Sequence, residues 1–206
     1  MWRRSLMIGL VLSAFALAPC VAQDKDTFQE EADRLAPLLN WQPGSVVAEI
    51  GAGKGEMTLA AAKRVGTAGR VYTTELDAKK LAVLEELAAK EKNITALQAG
   101  EAQTNLPPGC CDSIFMRSVY HHLTKPVEVD ASLFRSLKPG GLLAVIDEEP
   151  RPGTKRVEGV PENRGGHGVP KKILIEELTS AGFLVVKSLD DWPSALYCVV
   201  FRKPSP

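Results

Sequence analysis

The 206-residue chain has no charge excess, with 25 basic residues against 25 acidic ones. After the first few residues it also lacks any cluster of Lys and Arg. Nucleic-acid binding leans on neutralising phosphates, so no nucleic-acid partner is expected. Cysteine is scarce, at four. Cys20 lies in the leader-like segment, which leaves Cys110, Cys111 and Cys198, an odd number that excludes a disulfide framework. The adjacent pair lacks the ligand spacing of a zinc site, and no metal is expected. One bridge from either of the pair to Cys198 stays open. Internal repeats and low-complexity stretches are absent. So is any apolar run of the roughly 20 residues that a bilayer span needs.

The longest uncharged apolar run is Leu6 to Ala18. Arg3 and Arg4 precede it, and Pro19 and the small-residue run Cys20-Val21-Ala22 follow. Basic, then apolar, then small is the order of a secretory signal peptide. The expectation is a leader over 1–22, a single domain over 23–206, and export to a periplasm or the medium. An uncleaved membrane anchor is the alternative, and this segment is the only expected route to a membrane. The twin arginines also fit a signal read by a folded-protein export route.

Beyond the leader, helical and strand patterns alternate. Helices are predicted over 26–39, 56–65, 78–90, 127–137 and 171–181. Short apolar strands are predicted over 46–50, 70–74, 94–98, 113–116 and 142–146, with a turn at Pro139-Gly140-Gly141. Alternation of this kind predicts a parallel sheet with helices on both faces. Two final strands, 183–189 and 195–202, are joined by so few residues that only an antiparallel pair is allowed. A Gly/Pro-rich loop over 147–168 precedes the last helix.

The chemistry gathers at the strand ends. Glu49-Ile-Gly51-Ala-Gly53-Lys-Gly55 sits between the first strand and its helix. Glycines there allow a sharp turn and close approach of a ligand, and the helix start offers N–H groups. The spacing departs from the G-x-G-x-x-G of dinucleotide sites, and Glu49 would repel a pyrophosphate. A carboxylate there suits a ligand end that carries an ammonium group, as S-adenosylmethionine does. Glu75, about twenty residues on, stands where an acidic side chain accepts hydrogen bonds from ribose hydroxyls. Glu101 follows the third strand, at the end of the sheet where ligands collect.

These segments resemble class I S-adenosylmethionine-dependent methyltransferases, in particular the group that acts on small molecules. Glu49 to Gly55 resembles their first motif, and Glu75 holds the place of their ribose-binding acid. Gly100-Glu101-Ala102 resembles their Gly-Asp-Ala, with Glu for Asp. Ser118 to Leu123 and Leu137 to Gly141 resemble the segments around their fourth and fifth strands. The resemblance implies an α/β fold, Rossmann-like, with a seven-stranded, mostly parallel sheet that has helices on both faces and a C-terminal antiparallel hairpin. It implies S-adenosyl-L-methionine as cofactor and a small-molecule acceptor. The cofactor-binding set is then Glu49, Gly51, Gly53, Gly55, Glu75, Leu76, Glu101, Ala102 and Arg117.

In-line methyl transfer leans on positioning, and a base is needed only if the acceptor must lose a proton. His121 and His167 are the catalytic candidates, with His122 beside them. Arg117 and Arg164 are candidates to orient an anionic acceptor. Two other readings stay open: an exported cofactor-binding protein without turnover, and an isoaspartate-type protein carboxyl methyltransferase.

Overall fold

The computed structural model describes residues 20–205, with side chains described from Thr27 onward. The expected leader over 1–22 lies outside the described residues, apart from its last three, which open the first helix. The elements run α1 (Cys20–Leu38), β1 (Val46–Ile50), α2 (Glu56–Val65), β2 (Arg70–Glu75), α3 (Ala78–Lys90), β3 (Ile94–Gln98) and β4 (Cys111–Arg117). Then follow α4 (Pro126–Ser136), β5 (Leu137–Asp147), α5 (Lys171–Ser180), β6 (Leu184–Trp192) and β7 (Leu196–Arg202).

Local chemistry explains the helix starts. Asp77 caps α3, its carboxylate accepting from the amides of Lys79 at 2.9 Å and Lys80 at 3.0 Å. Pro126 opens α4, where its missing N–H has no helical partner to lose. The central strands are buried on both faces, and successive residues pack on opposite sides of the sheet. Val47 faces one apolar layer with Leu35, Met57, Ala61 and Val65, while Ala48 and Ile50 face another with Val129, Leu133, Leu174 and Leu178. Thus α1 and α2 cover one face of the sheet, and α4 and α5 the other.

The sheet order is β3-β2-β1-β4-β5-β7-β6. β1 to β5 pair in parallel, and β7 runs antiparallel to both β5 and β6. This is the expected seven-stranded sheet with its terminal hairpin. The order reverses between β1 and β4, so a crevice opens beyond the C-terminal ends of those strands. Among the described residues, no helix is long and apolar enough to cross a membrane.

Two expectations need correction. Pro139–Gly141, read as a turn, lies within β5. The amide of Gly140 donates to Lys203 O, and the amide of Lys203 to Gly141 O, so the chain end holds this stretch extended. The β4–β5 register slips there, between Cys111 and Ser113. The open Cys198 bridge does not form either. Cys110 and Cys111 are bonded to each other, and Cys198 is free and buried. Cys198 pairs with Ile146, which pairs with Arg117 at the far end of β4 from Cys111. Six residues of strand put them about 20 Å apart. Burial pushes the Cys198 thiol up to about 12.

Candidate functional site

The crevice at the switch point holds a cavity of about 390 Å³, within the range of small-molecule sites. Ile50 and Gly51 line it where β1 ends, Glu75 and Leu76 where β2 ends, Gly100 and Glu101 just after β3, and Arg117 to Val119 where β4 ends. A second cavity of about 440 Å³ lies on the other side of Gly51 and Arg117, bounded by Phe28, Glu49, Gly53 and Met57.

Gly51 faces both cavities. Its φ is +66°, and a Cβ placed on it would lie 2.6 Å from Val119 Cγ2. Only glycine permits both that turn and that contact. The other two glycines of the motif have different tasks. Gly53 donates its amide to Glu75 Oε2 at 3.0 Å. Gly55 packs against α3, where an added Cβ would lie 2.8 Å from Leu87 Cδ2, and it lines neither cavity. The task the structure shows for Gly55 is this close packing of the turn on α3. The amides of Ala52, Gly53 and Gly55 are all used within the protein, so this loop does not offer them free to a ligand.

Glu75 is buried at the cavity wall and accepts three backbone amides, from Gly53, Leu76 (2.8 Å) and Asp77 (3.3 Å). A carboxylate has about four lone-pair sites, so capacity remains for a ligand hydroxyl. Leu76 presents a half-exposed apolar side chain at the mouth. Glu101 lines the cavity but is exposed, with Lys125 Nζ at 3.8 Å. Ala102 is not among the lining residues; its neighbours Glu101 and Gln103 are. Ser118 also lines the cavity at φ +53°, a strained conformation for a residue with a side chain.

Glu49 is buried at the end of β1 beside the second cavity. The Thr58 hydroxyl donates to its carboxylate, and the same hydroxyl lies 3.0 Å from Thr73 Oγ1. No cation pairs with Glu49 among the described ion pairs. Burial is the main cause that pushes its carboxyl up to about 8.

Both candidate arginines are already paired. Arg117 Nε donates to both carboxylate oxygens of Glu31 on α1, at 3.0 and 2.9 Å, and its guanidinium stacks 5.0 Å from the Phe28 ring. Trp192 Nε1 donates to the same Glu31, which is fully buried. Arg117 thus ties α1 to the end of β4 through Nε, while its guanidinium still borders both cavities. Arg164 is fully buried and makes two bonds to Glu177 of α5, at 2.9 and 2.8 Å. Its guanidinium lies over Tyr120, whose hydroxyl sits within hydrogen-bond distance of Asp130 Oδ2 (2.8 Å) and Glu177 Oε2 (2.9 Å). It clamps the 147–168 loop to the core, which corrects its expected role at the acceptor. Burial pushes Asp130 up to about 7 and the Tyr120 hydroxyl far above its usual range.

The three histidines converge from two segments. His121 is 1 % exposed, with Nδ1 2.6 Å from Asp147 Oδ1, and its Nε2 has no partner. Such burial leaves it no direct access to an acceptor in the main cavity. His122, its neighbour in the same 3-10 turn, is exposed and lines that cavity. Burial, then the neighbouring His121 and His167, hold the His122 imidazole below its usual value. His167 comes from the loop, with Nδ1 3.1 Å from Glu148 Oε1. The His121 ring centre lies 4.1 Å from that of His122 and 4.6 Å from that of His167. Glu31, Phe28, Val119 and Thr58 are site residues that sequence reading missed. Only the place of Ser118-Val119 just after β4 gave any hint.

Fold and crevice define a nucleotide-binding α/β domain whose acidic residues stand at strand ends. Residues 48–145 match the family model described as a methyltransferase domain. A ubiquinone/menaquinone biosynthesis C-methyltransferase UbiE from Hydrogenovibrio crunogenus is 28% identical over 109 residues, which cover 52% of this chain and 43% of that protein. The matched region thus spans less than half the length of that relative. Among solved structures, a SAM-dependent methyltransferase from Aquifex aeolicus superposes with a TM-score of 0.71 at 22% identity, covering 89% of this chain and 96% of that one. A geranyl diphosphate methyltransferase in complex with SAM gives 0.68 at 13% identity, covering 85% of each. Fold and family match agree: the chain has the fold of class I methyltransferases, and its residues 48–145 match a methyltransferase-domain model.

Proposed function

We propose that this chain is an S-adenosylmethionine-dependent methyltransferase that acts on a small-molecule acceptor. The observation that carries this is Glu49, a buried carboxyl beside the crevice with a hydroxyl partner and no ion-pair partner among the described residues. Burial makes ionising this carboxyl costly, and a cationic ligand end would supply the countercharge that favours its carboxylate. Glu75 would accept the ribose hydroxyls with its remaining lone pairs. Leu76 would cover a face of the adenine, and Gly51 would let the ligand lie against the backbone. S-adenosylmethionine, when bound, supplies an electrophilic methyl group.

The chain's own work is positioning and exclusion of water. Arg117 and Glu31 hold α1 beside the second cavity, and Arg164 and Glu177 hold the loop that carries His167. The histidine cluster marks the acceptor end, because His122 alone of the three lines the main cavity. The matched UbiE proteins are named for quinone biosynthesis, which supports a small acceptor. Export behind residues 1–22 belongs to the same proposal. It is tested by N-terminal sequencing of the mature protein, and an intact Met1 in the cytosolic fraction would overturn it.

Calorimetric titration with S-adenosylmethionine and S-adenosylhomocysteine tests the cofactor directly. Micromolar-range binding of both is expected. A folded sample that binds neither would overturn the proposal.

A further inference from the structure

We infer that His121, His122 and His167 form a binding site for a divalent transition metal, of the zinc class, at the acceptor end of the crevice. Their ligand nitrogens all lie within 4.8 Å of one another. In a tetrahedral site with metal–nitrogen bonds of about 2.0–2.1 Å, such nitrogens stand about 3.3 Å apart. Small rotations of two imidazoles close that difference. His122 is exposed and His167 half-buried on a loop, so both have room to turn.

A second, independent observation points the same way. His121 Nε2 is buried and has no hydrogen-bond partner. Buried polar atoms are rarely left so, and a bound ion is one of the few things that accounts for such an exception. The outer shell is also in place. Asp147 takes His121 Nδ1 at 2.6 Å and is itself held by the amides of His121 (3.2 Å) and Glu148 (2.8 Å). Glu148 lies against His167 Nδ1 at 3.1 Å. Carboxylates that orient the far nitrogen of a ligating histidine are the usual support of such a metal. The two carboxylates also supply negative charge beside a cation.

Three histidine ligands leave a fourth position open, as in catalytic rather than structural zinc sites. His122 borders the main cavity, so that position faces the space where an acceptor would sit. This rests on the methyltransferase reading for its role. A metal there would bind an acceptor through an oxygen or nitrogen lone pair and favour loss of its proton. The acceptor class is then a small molecule with a metal-coordinating oxygen or nitrogen next to the methylated atom.

The test uses the full chain without a polyhistidine tag. Zn²⁺ is titrated by calorimetry, and Co²⁺ by visible absorption. One Zn²⁺ per chain is expected, with a Co²⁺ spectrum of a four-coordinate, nitrogen-rich site. Azide added to the Co²⁺ form should shift that spectrum, and an unshifted spectrum would overturn the open position. His122→Ala and His167→Ala, both outside the buried core, should each abolish stoichiometric uptake. Asp147→Asn should weaken it about 10–100-fold. Uptake that survives both histidine changes, or no uptake by the unaltered chain, overturns the site. Glu75→Ala should leave Zn²⁺ uptake intact while it weakens cofactor binding, so failure of the metal site and failure of the cofactor reading are read separately.

Discussion

Gly51 and Val119 meet so closely that each constrains the other. Gly51→Ala would force a side chain into left-handed backbone, a cost of about 1–2 kcal/mol, and press its Cβ onto Val119. Val119→Ala removes the clash but not the backbone term. The double variant should therefore recover part of the stability lost in Gly51→Ala, and denaturant unfolding of all four proteins measures this. Full additivity of the two changes would show that the contact is not made. Glu75 acts differently, because it holds the turn and faces the ligand. Glu75→Ala should weaken S-adenosylmethionine binding by about 1.5–3 kcal/mol, the scale of hydrogen bonds to a charged group. Calorimetric titration reads the loss, and an unchanged affinity would remove Glu75 from the site. Both residues were legible in the sequence, because a glycine turn after a strand and an acid ending the next strand are local patterns. The partner of Gly51 was not, since Val119 reaches it only through the pairing of β1 with β4.

At the scale of elements, the loop over 147–168 depends on one buried arginine. Arg164, itself fully buried, brings a charge to the partly buried Glu177, close to Asp130 and Tyr120. Removing one partner of a buried pair leaves the other charge uncompensated. Arg164→Met should cost about 3–5 kcal/mol in chemical denaturation, and hydrogen exchange should rise across the loop that carries His167. A loss below 1 kcal/mol would mean that Glu177 finds water instead. Element boundaries were legible where punctuation is local. α2, between the glycine turn and Gly66, and α3, capped by Asp77, fall where the spacing placed them. β5 was misread at Pro139–Gly141 because its partner there is Lys203, at the other end of the chain. The same holds for the site. Arg117 looked free in sequence because Glu31 lies 86 residues away, and the histidines looked separate because His167 returns to His121 only when the loop folds back.

For the whole molecule, two buried carboxyls set a shared dependence on pH. Burial pushes Glu49 from 4.5 up to about 8 and Asp130 from 3.8 up to about 7. Between the lower and upper values the folded chain holds protons that the unfolded chain has released. Stability of the free protein must then fall as pH rises across that window. The melting temperature should decline between pH of about 5 and about 8, and Glu49→Gln should flatten the upper part of that decline. A cationic ligand beside Glu49 favours its carboxylate. Cofactor binding below pH of about 8 should therefore release a proton, and affinity should rise with pH through the window. Calorimetry in two buffers of different ionisation enthalpy counts that proton. If the count is zero and Glu49→Gln leaves the pH dependence of affinity unchanged, the ligand's cation does not meet Glu49. The carboxylate would then be a burial cost carried by the fold alone.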